Sequence, residues 1–206
     1  MTSPFTVRQA GVISVVAAAL VLVSQVSQLV LPIALPESFW VATQTYRLGL
    51  ALVAMFALLL ALSGLFARQA AVAGKLGLIG YLTAFLGTLL VAGDWWYEAF
   101  IGPVLRDQAP ELLATAPSGS ILVGAVLTAA MFGAGWLIFG LASLRAGVFP
   151  RGSAVLMSVG GVTGILGLIS PFQVPLALAV GWMGFLLIRS ERHEDVISRS
   201  PAVALG

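Results

Sequence analysis

The chain has no cysteine. Disulfides, thiolate metal sites, haem thiolates and cysteine nucleophiles are therefore excluded. It has one histidine, His193, in a polar C-terminal stretch. Histidine triads, bis-histidine haem and HExxH zinc chemistry thus have no residues to build on in the apolar part. Lysine also occurs once, as Lys75 at the edge of an apolar run, so no intramembrane lysine is available for a retinal Schiff base. Charge is scarce: 9% of the 206 residues are Asp, Glu, Lys or Arg. Soluble domains carry about 25%, so this chain cannot clothe a water-facing surface.

What it has instead is apolar length. Sixty per cent of the residues are hydrophobic and the mean hydropathy is +1.06. That composition predicts an all-α integral membrane protein whose first partner is the lipid bilayer. The pI near 9.5 rests on a net charge of only +2, so no nucleic-acid partner is expected. Nine Arg to one Lys, with abundant Ala, Gly, Val and Leu, suggests a GC-rich prokaryotic genome.

Residues 1–9 form a short polar lead containing Arg8. Ala10–Leu31 is apolar for about the 20 residues that a span needs. It exceeds a signal-peptide core of about 7–15 residues, so it reads as a retained first helix, ended by Pro32 and Pro36. Gln25 and Gln28 lie three apart and share a face. Facing lipid, their amides would be unsatisfied, so they are expected to point into the bundle. An interfacial link from Pro32 to Ala42 precedes a second helix over Thr43–Ala67, and Arg68–Lys75 forms the next link. A third helix covers Gly74–Phe100. The Pro-containing stretch Ile101–Ser120 follows, with a short surface helix over Asp107–Ala116. A fourth helix covers Ile121–Leu144. The last apolar block, Gly152–Ile188, would be about 55 Å long as one helix. It is divided by the SPFQVP run at Ser170–Pro175 into two spans.

Six spans with both termini cytoplasmic place Arg8, Arg68, Lys75, Arg145, Arg151, Arg189, Arg192 and Arg199 inside. Only Arg47 and Arg106 are then outside. This is the positive-inside pattern. Residues 1–189 thus form one six-helix transmembrane domain of a plasma membrane. Residues 190–206 form a polar, mobile cytoplasmic tail. Gly160–Gly164 and other small residues suit close helix packing, within one chain or against a second copy or a partner membrane subunit.

Chemistry is concentrated in Gly93–Leu113, which holds Asp94, Glu98, Asp107 and Glu111, half of the eight acidic residues. Asp94 and Glu98 lie four apart on one helix face. Gly80, Thr83 and Gly87 fall on the same stripe, which is expected to face the bundle, with Trp95 and Trp96 directed elsewhere. Arg47, at similar depth on helix 2, is the nearest countercharge. It either pairs structurally with Asp94 or Glu98, or builds a ligand site with them and with Gln25 and Gln28. Glu37, Gln44 and Gln173 also fall in the outer half. The cytoplasmic halves of the spans carry only hydroxyls. The expected form is an outward polar recess closed by apolar residues. Trp136 and Trp182 are expected in packing.

Catalytic motifs are missing. There is no GxSxG, Walker or Rossmann fingerprint. Gly93-Asp94 lacks the first glycine and the second aspartate of a GxGD protease. No cofactor or resident metal is expected. Three functions fit the pattern: a carrier or sensor binding a small solute, proton or cation; a non-catalytic accessory subunit; or an outer-leaflet enzyme using Asp94 or Glu98.

Overall fold

A computed structural model describes residues 6–34, 36–114, 118–165 and 173–199. Among them every regular element is helical. The helices are α1 (Val7–Ala34), α2 (Glu37–Ala42), α3 (Gln44–Phe100), α4 (Gly102–Gln108), α5 (Pro110–Ala114), α6 (Gly119–Ala146), α7 (Arg151–Ile165) and α8 (Val174–Arg199). Three of them, α1, α3 and α6, are long and apolar enough to cross a membrane. The apolar part of α8, Val174–Ser190, is shorter.

Helix α3 is two helices in one. Gly74 has φ 57° and ψ −156°, a non-helical conformation inside the 57-residue run. Only glycine reaches that region without a steric penalty, because a Cβ would clash with the backbone. The chain reverses there. The Thr45 hydroxyl donates to the Ala99 carbonyl oxygen at 3.2 Å. The hydroxyls of Ser63 and Tyr81 lie 3.3 Å apart, and the Phe66 and Tyr81 rings stack at 4.4 Å. The two arms, 44–73 and 75–100, are therefore antiparallel. The expected loop over 68–75 shrinks to Gly74, because nothing in Arg68–Ala73 breaks a helix.

The other long helices pack in the same manner, on small residues. A methyl group on Gly64 would lie 2.8 Å from Ala10 Cβ, and one on Gly80 would lie 2.7 Å from the Phe139 nitrogen. Gly140 is as close to Ser158, Gly160 to Leu176 and Gly184 to Ser14. These contacts join α1 to the first arm of α3, the second arm to α6, α6 to α7, α7 to α8, and α8 back to α1. Gln25 with Gln173, and Gly11 with Gly184, fix α1 and α8 as antiparallel. The core between them is apolar: Met55, Leu58, Leu62, Phe132, Trp136, Phe139, Met157 and Met183 are each at most 1% exposed. Trp136 is not simply filler. Its indole N–H donates to the buried Thr88 hydroxyl at 3.0 Å.

The outside is as apolar as the core. Val23, Leu60, Ile79, Leu86, Val126, Val159 and Phe185 are exposed along the middle of the helices. Such a surface suits hydrocarbon, where side chains need no hydrogen bonds and every helical backbone group is satisfied internally.

Several boundaries differ from the sequence reading. Helix α1 passes through Pro32 to Ala34. A proline in a last turn removes only one ladder bond, so it need not stop the helix. The short helix expected over 107–116 is instead the end of α4 followed by α5, broken at Ala109 where φ is −151° and ψ 58°, and positions 115–116 lie outside the described residues. Helix α8 continues to Arg199, so the backbone past Arg189 is helical up to that point. Positions 170–172 of the SPFQVP break and the final stretch 200–206 lie outside the described residues. Trp182 is 45% exposed, yet its ring packs on α7, where a methyl group on Gly152 would lie 3.0 Å from it.

Candidate functional site

The antiparallel register brings Ser24, Gln25, Arg47, Trp95 and Gln173 to one end of the molecule. Thr45 meets Ala99, and Ser63 meets Tyr81. Counting residues along these arms puts Trp95 level with Arg47–Gly49. Counting from the Ala10–Gly64 contact puts Gln25 at that same depth. Gln173 is bonded to Gln25 directly. Ser24, Gln25, Arg47 and Gln173 are all buried. They form a polar layer near the end that carries α2, α4 and α5.

Each member is held locally. Gln25 Nε2 donates to Gln173 Oε1 at 3.3 Å, tying α1 to α8. Gln28 is half-buried and donates to the Ser24 hydroxyl at 3.3 Å, one turn back on its own helix. Arg47 is 7% exposed, and its Nε donates to the Thr43 hydroxyl at 3.2 Å. Trp95 is 8% exposed, and its indole N–H is buried with no hydrogen-bond partner. A buried unmade donor carries a desolvation cost of about 1–3 kcal/mol.

The carboxylates sit at the rim. Asp94 is exposed and Glu98 is half-exposed. Glu98 pairs with Arg106 of α4 at 3.8 Å, rather than with Arg47. Arg106 also donates to Gln44 Oε1 at the start of α3. It thereby stitches both ends of the α3 hairpin to α4. The expected inward stripe was out of phase. Gly80 and Gly87 are buried, but so are Ala84, Val91, Ala92, Trp95 and Ala99. At 100° per residue the centre of that set passes through Val91 and Trp95, which leaves Asp94 at its edge. Trp95 faces inward, while Trp96 is 50% exposed. Among the described residues no three carboxylate or imidazole groups gather to hold a metal ion.

Three residues carry more than the sequence disclosed. Trp95 was hidden by the phase error. Arg106 looked like an isolated outer charge, and only the fold of the 101–114 segment brings it to Glu98. Gln69 is 0% exposed, and neither its amide nitrogen nor its amide oxygen has a partner. It lies at the opposite end, inside a stretch expected to be a loop. No protein-family model matches this chain, and no curated protein or solved structure does either.

Proposed function

We propose that this chain crosses a plasma membrane six times, with both termini cytoplasmic, and binds a small solute in an outward-facing polar recess. Six spans are supported by the reversal at Gly74. Its arms of 30 and 26 residues would measure about 45 and 39 Å, each enough for a core of about 30 Å. Orientation is supported by charge. Arg8, Arg68, Lys75, Arg145, Arg151 and Arg189 gather at the end with the hairpin tip. Exposed Tyr46, Trp96 and Tyr97 lie at the other end and exposed Trp182 near the basic end, as interfacial aromatics do.

The observation that carries the binding reading is the buried layer of Gln25, Arg47, Trp95 and Gln173. Buried ionisable groups in a membrane interior are expensive and cluster at functional sites. Arg47 and Trp95 are donors only, the two glutamine amides both donate and accept, and the carboxylates Asp94 and Glu98 are at the rim. The recess therefore favours a solute with acceptor oxygens over a bare cation. Carrier and sensor share this chemistry. The test is thermal stabilisation of the detergent-purified chain by small carboxylates such as acetate and glutamate, against calcium and magnesium. Stabilisation by a carboxylate, lost in Arg47→Gln, is expected. Stabilisation by divalent cations alone contradicts the reading.

An accessory-subunit function is favoured by one observation. From Ser118 to Leu127 all residues but Ala125 are exposed, so the first half of α6 has a free circumference for a partner membrane helix. Co-purification of a stoichiometric membrane partner that is lost in Gly124→Leu supports that reading.

A further inference from the structure

Two cavities open at the basic end, and Arg68 belongs to both. One, of about 150 Å³, lies between the start of α1 and the first arm of α3, with Thr6 and Ala67 in its wall. The other, of about 280 Å³, lies under the α6–α7 turn, with Val148, Phe149, Pro150 and Ser190 in its wall. Leu187 of α8 also lines both. Each cavity thus offers one hydroxyl, the shared guanidinium and otherwise apolar walls.

The charge around them is mainly basic. Through Ser190 this end carries six cations and no carboxylate, and the rest of α8 then adds Glu191, Glu194 and Asp195 together with Arg192 and Arg199. The ion pair found among the described residues, Arg106 with Glu98, is at the far end. A guanidinium presents donors in a planar fork that matches phosphate oxygens. Next to Arg68, the fully buried Gln69 amide lacks partners for both of its polar atoms, but it lines neither cavity.

We infer that Arg68 and its two flanking cavities form a binding site for an anionic phospholipid, with the phosphate on Arg68 and acyl carbons along Val148, Phe149 and Leu187. The apolar walls select a lipid over a free phosphate ion, which would leave them in contact with water. Basic recesses between helices at a cytoplasmic face are suited to such headgroups. The inference rests on the membrane reading above. Resistance to alkaline carbonate extraction tests that reading separately: a chain that resists extraction but retains no lipid sinks only the site.

The experiment is native mass spectrometry of the full chain from neutral detergent, with added phosphatidylglycerol or phosphatidylcholine. The wild-type chain should retain phosphatidylglycerol preferentially. Arg68→Gln should weaken that retention about tenfold, as loss of a charge-assisted phosphate contact does. Arg145→Gln, at the same end but outside both cavities, should change it by less than about twofold. Val148→Trp, which fills the larger cavity and leaves the charge in place, should weaken it as well. Equal losses from Arg68→Gln and Arg145→Gln would mean diffuse attraction to a basic face and overturn the site. Displacement of the lipid by millimolar inorganic phosphate would overturn the choice of a lipid. Retention unchanged in both Arg68→Gln and Val148→Trp would place the lipid elsewhere.

Discussion

The Gln25 side-chain nitrogen lies 3.3 Å from the Gln173 side-chain oxygen, a buried amide-to-amide bond between the first and last long helices. It closes the α1–α8 seam across 148 positions of sequence. Interhelical polar bonds in membranes are worth about 0.6 kcal/mol on average and about 1.7 at most. Gln25→Ala and Gln173→Ala should each lower unfolding stability. The double variant should lose less than the sum by about that coupling. Additive losses in a detergent–denaturant cycle would mean that the two amides do not support each other.

Gly74 should tolerate no side chain. Its φ of 57° with ψ of −156° lies in a region open essentially to glycine alone. Gly74→Ala should cost about 1–3 kcal/mol, although a methyl group there would meet no atom within 4 Å. The loss, measured by thermal unfolding, would therefore be conformational and not steric. An unchanged transition would mean that the hairpin tip relaxes freely.

Helix contacts built on glycine should be intolerant, and open glycines should not. At Gly80 a methyl group would lie 2.7 Å from the Phe139 nitrogen, which is backbone and cannot swing away. Gly80→Ala should separate the second arm of α3 from α6, at a cost of about 1–3 kcal/mol for overpacking. Gly93 has nothing within 4 Å, so Gly93→Ala should be neutral or stabilising, since alanine is favoured in a helix by about 1 kcal/mol. Equal effects of the two substitutions would contradict the packing described.

Charge at the rim of the polar layer should matter little for stability. Arg106 and Glu98 are 38% and 42% exposed at 3.8 Å. Exposed pairs contribute about 0–1 kcal/mol. Glu98→Gln should therefore leave the melting transition within that range. Arg47→Gln, at a buried position, should lower it by more.

Much of the fold was legible, because length and hydropathy mark helices directly and proline, glycine and arginine mark their ends. The Gly147 turn after α6, with φ 65° and its N–H on the Ser143 oxygen, falls where the linker arginines pointed. The site was less legible. A phase error of under a residue moved Asp94 from the buried face to its edge and hid Trp95. Gln25 and Gln173 both read as polar residues of the outer half, but their bond depends on α8 returning beside α1. Arg68 read only as a topology marker. Its two cavities exist because the α6–α7 turn and the start of α1 come down on either side of it, and no local pattern encodes that.

The most direct test of the account is the side of the membrane on which each end lies. The chain has no cysteine, so single cysteines can be placed at Gln108, in the outer segment, and at Gly147, in the basic-end turn. In intact cells a membrane-impermeant maleimide should label the cysteine at 108. It should reach the one at 147 only after permeabilisation. Labelling of position 147 from outside, or of both positions alike, would contradict a six-span bundle with its polar layer facing outward.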